Sequence, residues 1–247
     1  MSESKNKEEV KPTGGVEDTL KQWGRDLVEV LVTLGIIIII LRVLLGADMI
    51  VPLVVVTSGS MVHSSGDNSW IHWLNERGIT NQTIEEMPLG GGFNMGDMII
   101  VMRPEAKLGD VIVYERDFIY GSRDMEPIIH RIVGVVYVND SKVVGTEGTL
   151  DCFNREDFGR YIGYVEECKK GGKECHYTSV PESDEYKFFI TKGDFNPEAD
   201  QCITMMKDIS IPVNEAQVKA KTLLRLPYIG WIKLIFTSII RILTFNF

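Results

Sequence analysis

The tetrapeptide Ser58-Gly59-Ser60-Met61 places a serine directly after an apolar, β-branched run and ahead of a polar loop. A hydroxyl held at the end of a rigid strand can act as a nucleophile, with neighbouring backbone N–H groups facing an oxyanion. The same residues are ordinary turn formers, so the tetrapeptide alone has little specificity. A serine nucleophile needs a base, and the chain has four histidines: His63, His72, His130 and His176. His130 stands apart because it interrupts the apolar run Ile128-Ile129-His130-Arg131-Ile132-Val133. A buried histidine with satisfied hydrogen bonds is the alternative reading there. His63 lies three residues beyond Ser60 in a polar loop and is expected to face solvent. His72 and His176 fall outside the strand pattern. A carboxylate would complete the set by fixing the imidazole tautomer and stabilising its charged form. Asp194 and Asp200, in Thr191-Lys192-Gly193-Asp194-Phe195-Asn196-Pro197-Glu198-Ala199-Asp200, are the candidates, with loop capping as their alternative role.

The elements that must position these residues read as strands. Ile50–Thr57, Met98–Met102, Val111–Tyr114, Ile128–Val138 and Tyr186–Thr191 are short, β-branched runs bounded by turn residues. Gly96-Asp97, Gly109-Asp110 and Gly193-Asp194 punctuate them as tight turns. Helical spacing is confined to Ile71–Arg77 and Glu215–Leu224. The fold class is therefore mainly β, over residues 47–224. Residues 62–95, with Gly90-Gly91-Gly92, and residues 139–183, with Lys169-Lys170-Gly171-Gly172-Lys173, read as insertions, either lids or surface decoration.

Two apolar segments flank this body. Leu27 to Gly46 contains five consecutive isoleucines and no polar face. At ~1.5 Å per residue such a helix spans roughly 30 Å, the thickness of a bilayer core. A polar segment of residues 1–26 precedes it, and Leu44-Leu45-Gly46-Ala47-Asp48 is a poor cleavage site, which favours a retained anchor over a cleaved leader. Lys11, Lys21 and Arg25 precede the helix and no basic residue follows until Arg77, so the N-terminus is expected in the cytoplasm and the body outside. The tail of residues 1–26 mixes Lys with Glu around Pro12-Thr13-Gly14-Gly15 and is expected to be disordered. At the other end, residues 225–247 carry Lys233, Thr237 and Arg241 every fourth residue, a spacing that suits a helix lying in the membrane interface. A second span is the alternative.

A net charge of −9 and a pI near 5.0 argue against a nucleic-acid partner. Cys152, Cys168, Cys175 and Cys202 are an even set suited to disulfides, with free thiols as the other reading. Cys168, Cys175 and His176 lack the paired spacing of a structural zinc site.

Taken in order, the anchor, Ser-Gly-Ser-Met, Gly-Asp with an apolar strand, Gly-Asp-Val-Ile-Val-Tyr, His-Arg and Thr-Lys-Gly-Asp-x-Asn resemble type I signal peptidases. The resemblance covers about residues 27–61, 96–137, 186–201 and 224–231, the last through Leu226-Pro227-Tyr228-Ile229-Gly230. Bacterial members carry lysine where His130 stands, so histidine resembles the archaeal and endoplasmic-reticulum branch. The loop after Met61 and the acidic tail look archaeal. The resemblance implies Ser60 as nucleophile, His130 as base, Asp200 as its acidic partner and Asp194 as a supporting carboxylate. It implies an oxyanion hole from Ser58 and the Ser60 N–H, and needs no metal or cofactor. Phe195 and Ala199 depart from the family pattern, where Asn and Asp are usual. The implied substrates are secretory precursors with small residues at the first and third positions before the cut. Implied partners are membrane lipid and a translocon or accessory subunits. Only 14 residues separate Gly46 from Ser60, which keeps the serine within roughly 50 Å of the membrane. The competing enzyme class, Ser/Lys self-cleaving proteases of the LexA type, requires lysine at position 130. The competing non-enzyme is a membrane-tethered β-domain that binds a partner protein.

Overall fold

A computed structural model describes residues 16–46, 49, 51–63, 69–103, 105–122, 125–173, 175–202 and 209–245. The chain divides into two compact units, residues 1–44 and 45–247. The first contains most of helix α1, Val16–Leu45. Its stretch Thr19–Leu45 is, among the described residues, the one helix long and apolar enough to cross a membrane. The helix begins earlier than the isoleucine run requires, which corrects the expectation of a disordered tail for residues 16–26. Leu20, Trp23 and Leu27 extend the apolar helical spacing backwards into that segment. The rest of the expected tail, residues 1–15, lies outside the described residues.

The second unit is built on an antiparallel sheet. Its strands are β1 Leu53–Val55, β2 Met98–Met102, β3 Val111–Tyr114, β4 Ile128–Asn139, β5 Lys142–Gly148, β6 Tyr186–Lys192, β7 Val213–Asn214 and β8 Val218–Leu226. They run in the order β1-β2-β8-β3-β4-β6-β7, with β5 also paired to β4. Strand β4 is the spine: its first residues pair with β3, setting Ile112 opposite His130, and its middle pairs with β6, setting Arg131 opposite Lys192. Because side chains alternate along a strand, His130 shares a face with Ile128 and Ile132 while Arg131 turns to the other. Both residues are buried.

Two of the expected elements need correction. Glu215–Leu224 is not a helix but a short 3₁₀ turn, Glu215–Gln217, followed by β8. Lys, Ala and Leu favour helix by composition, yet Val218, Ala220 and Thr222 are buried at every second position, and that alternation fits the sheet. The supposed insertions also form core. Helix α2, Ser69–Glu76, buries Trp70, Trp73 and Leu74; helix α3, Asn81–Glu85, buries Ile84. Helix α4, Phe158–Lys169, buries Phe158, Tyr161, Ile162 and Val165 at helical spacing. All of these pack in one cluster with Val133, Val136 and Phe188 of the sheet.

All four cysteines are paired, as Cys152–Cys202 and Cys168–Cys175. The first ties the second insertion to the chain two residues beyond Asp200. At the C-terminus, helix α5, Gly230–Phe245, is 16 residues long, short of the ~20 that a straight span needs. Its start is fixed to the body. Asp97 Oδ1 accepts the Tyr228 N–H at 3.2 Å and Asp97 pairs with Arg225 at 2.6 Å. The Trp231 ring fills the space a side chain at Gly96 would need, and Gly96 holds φ +84°. Beyond that anchor Ile232, Ile235, Phe236 and Ile239 are exposed.

Candidate active site

Ser60 sits in the turn that follows β1, with its peptide held in place from across the chain. The Phe195 N–H donates to the Ser60 carbonyl at 2.8 Å, and the Phe93 N–H donates to the Met61 carbonyl at 2.7 Å. These bonds fix the backbone and leave the hydroxyl accessible. His130 Nε2 stands 2.9 Å from Ser60 Oγ, and His130 Nδ1 stands 2.6 Å from Asp200 Oδ2. His130 is 4% exposed and Asp200 is fully buried, so the imidazole–carboxylate contact is shielded from water and the serine end is open.

The same Asp200 oxygen accepts from Thr191 Oγ1 at 2.7 Å and from Tyr114 OH at 3.0 Å. With that oxygen receiving hydrogens, Nδ1 is the protonated nitrogen of neutral His130 and the Nε2 lone pair faces the Ser60 hydroxyl. The Tyr114 phenol is pushed well above its usual range by burial and by the Asp200 charge, so it stays protonated and donates. Gln201 extends the network. Its Nε2 donates to Thr191 Oγ1 at 3.1 Å and to Ser210 Oγ at 2.9 Å, while its Oε1 accepts the Thr191 N–H at 3.0 Å. Asp200 is set at the end of β6 by its own N–H, which donates to the Thr191 carbonyl at 2.8 Å.

Ser58 Oγ lies 3.2 Å from Ser60 Oγ on the exposed side. A hydroxyl there can donate to an oxygen bound beside Ser60, together with the Ser60 N–H. Ser58, Ser60 and His130 line a cleft of about 550 Å³, together with Leu53–Thr57 and Glu126–Ile129. Serine, imidazole and carboxylate so arranged can move the hydroxyl proton to Nε2 as oxygen attacks a carbonyl.

The second carboxylate has a different role. Asp194 accepts from Arg131 Nε at 2.9 Å and from Arg131 Nη2 at 2.7 Å, on the opposite face of β4 from His130. Arg131 also donates to the carbonyls of Pro88 and Gly109, at 2.8 and 2.9 Å. The expectation that His63 faces solvent is overturned: its Nε2 lies 2.9 Å from Asp194 Oδ2 and its side chain is 11% exposed. His63 stacks on Trp70 of the buried helix α2, which accounts for its inward position. Lys192 donates to the carbonyls of Gly193 and Asp194 at 2.9 and 3.1 Å, so it braces the turn and does not address Ser60. Burial holds its ammonium down to about 8, against the opposing pull of Asp194 and Asp200.

Burial alone would push the Asp194 carboxyl up, but Arg131 and then His63 bring it down to about 2. The folded value lies below the ordinary 3.8, so between the two the unfolded chain binds more protons and stability rises with pH. The contribution of Asp194 is present above pH 3.8 and is lost as pH falls through about 2. Urea unfolding of wild type and Asp194→Asn across that window is expected to show a stability gap that closes toward the acid end. A gap of constant size would contradict the assignment.

Sequence reasoning assigned no role to Tyr114, Thr191, Gln201 or Arg131. Three of the four stand in the quoted motifs, and Gln201 directly follows Asp200. The available clue was that a buried carboxylate needs donors, and hydroxyls and amides beside it are the source. The chain matches no protein-family model, and no curated protein or solved structure is significantly similar to it.

Proposed function

We propose that this chain is a membrane-anchored serine endopeptidase of the signal-peptidase type, which removes signal peptides from secretory precursors. The observation that carries the reading is the continuous chain of short contacts from Ser60 through His130 to Asp200 at the wall of a cleft. His130 Nε2 takes the Ser60 proton as Oγ attacks the scissile carbonyl. The oxyanion is held by the Ser58 hydroxyl and the Ser60 N–H. His130 then protonates the leaving amine, and water, activated by the same imidazole, releases the acyl group. Histidine at position 130 favours the archaeal and endoplasmic-reticulum branch over the Ser/Lys enzymes.

Several features support a substrate that enters as an extended strand. β1 pairs only with β2 among the described residues. Val56 exchanges hydrogen bonds with the Gly96–Asp97 turn on that side, so the main-chain groups of Val55 and Thr57 face outward, toward the cleft. A peptide can add there by main-chain bonds while small side chains fit between the walls. The apolar helix Thr19–Leu45 supports anchoring in the membrane. Two disulfides support a body outside the cytoplasm, with the N-terminus inside. The exposed apolar residues of α5 support contact with membrane lipid, and a translocon or accessory subunits remain the proposed further partners.

The test is cleavage of a purified secretory precursor in detergent, with the new N-terminus read by mass spectrometry. A precursor with Ala at the first and third positions before the cut is expected to give one product. Replacing either Ala by Phe is expected to lower the rate on the order of 10²-fold or more, as a site that selects small side chains requires. A wild-type protein that leaves the Ala precursor intact would contradict the reading, and would favour a non-catalytic binding domain.

A further inference from the structure

His63 takes no part in the contacts from Ser60 to Asp200, yet it is held as tightly as the residues that do. Its ring stacks on Trp70 at 5.0 Å between centroids and 21° between planes. A side-chain carbon at Gly92 would come within 2.7 Å of the His63 ring, so the glycine makes room for it. The other face of the arrangement is charged. Asp194 receives His63 Nε2 at 2.9 Å and two Arg131 nitrogens at 2.7 and 2.9 Å, and the Arg131 guanidinium also lies 5.0 Å from the Trp70 ring centre.

These contacts join the neighbours of the reacting residues. His63 follows Ser60 by three positions and Arg131 follows His130 directly, and both end on one carboxylate. The same turn meets the serine segment twice more, through the Phe195 N–H to the Ser60 carbonyl at 2.8 Å and the Asp194 N–H to Met61 Sδ at 3.4 Å. The segment 60–63 is thus fixed at its first residue by backbone, at its second by sulfur, and at its fourth by His63. Among the described residues, His63 is this segment's one side-chain contact to the Asp194 carboxylate that Arg131 of β4 also holds.

We infer that His63 is a positioning residue: through Asp194 and Arg131 it locks the Ser60 segment to the strand that carries His130, and so sets the Ser60–His130 distance. The inference rests on the proposed peptidase reading. The ring donates a hydrogen to a carboxylate that is already shared with Arg131, and its flat face is what the Trp70 stack requires. Misplacement of a reacting atom by about 1 Å can cost on the order of 10²-fold in rate.

The experiment measures kcat and KM for precursor cleavage by wild type, His63→Phe and His63→Gln, each with a melting curve. Phe keeps the ring and the Trp70 stack but donates nothing; Gln donates but does not stack. For His63→Phe, kcat is expected to fall on the order of 10²-fold with KM within about twofold and a fold that still melts cooperatively. His63→Gln is expected to recover most of the loss. A folded His63→Phe with wild-type kcat would overturn the inference, as would a His63→Gln that melts like wild type but is as slow as His63→Phe. If His63→Phe does not fold, His63→Leu, which also donates nothing, takes its place, with kcat expected to fall on the order of 10²-fold and wild-type kcat in a folded protein overturning the inference. Failure of the peptidase reading looks different, because wild type itself would then leave the precursor uncut.

Discussion

Changing His130 to Ala is expected to lower precursor cleavage by about 10⁴-fold or more, and changing Ser60 to Ala by a similar factor. The two losses should be alike and should not multiply in the double variant, because serine and base act as one unit. Ser60 Oγ has one imidazole within hydrogen-bond reach, His130 Nε2 at 2.9 Å. With His130 gone, no described group can take its proton. The other histidine nearby, His63, is committed to Asp194, and the buried Lys192 is committed to two carbonyls. The fold is expected to survive the His130 change, since Asp200 keeps its hydrogen bonds from Thr191 and Tyr114. Rates of both variants at saturating substrate, beside their melting curves, check this.

Asp200→Asn is expected to reduce kcat about 10⁴-fold, the scale on which this change acts in serine proteases of other folds. Two orientations of the new amide are open and both are harmful. If its oxygen takes the place of Oδ2, the Thr191, Tyr114 and His130 contacts persist but the imidazolium loses its counter-charge. If its nitrogen does, Nδ1 must accept and the proton moves to Nε2, where it faces the serine. Asp194→Asn should behave differently. It leaves the buried Arg131 guanidinium without a charged partner, a change that costs about 3–5 kcal/mol of stability in comparable buried pairs. Its kcat should fall far less than that of Asp200→Asn. The reverse pattern, an inactive Asp194→Asn beside an active Asp200→Asn, would reassign the acidic partner.

How these residues divide between two carboxylates shows what could be read from the sequence. Short β-branched runs between Gly-Asp turns gave the strands at 98–102, 111–114 and 128–138 closely, because a half-buried pleated surface selects those residues. Ser60, His130, Asp194 and Asp200 were all named from the order of their motifs. Which carboxylate pairs with His130 followed from the family resemblance alone, because the residues and their spacing leave both open. His130 and Arg131 are adjacent in sequence but face opposite sides of β4, so the loop carrying both aspartates supplies one to each side. The burial of His63 is not legible in the sequence, because its loop is polar. What buries it is Trp70, whose helix continues through Trp73 and Leu74 into the core. The α4 helix was hidden by Gly159 and Gly163, each costing about 1 kcal/mol of helix propensity, although Phe158, Tyr161, Ile162 and Val165 have helical spacing. The composition of β8 favours a helix, but its burial alternates from Val218 to Thr222. In each case tertiary packing overrode a local preference.

The most direct measurement is the initial rate at which purified Ser60→Ala cleaves a secretory precursor in detergent, beside wild type at equal concentration and with melting curves for both. The expected result is correct processing by wild type and a rate about 10⁴-fold or more lower for a Ser60→Ala protein that melts at the same temperature. A folded Ser60→Ala that processes the precursor at the wild-type rate would contradict the assignment of Ser60 as the nucleophile.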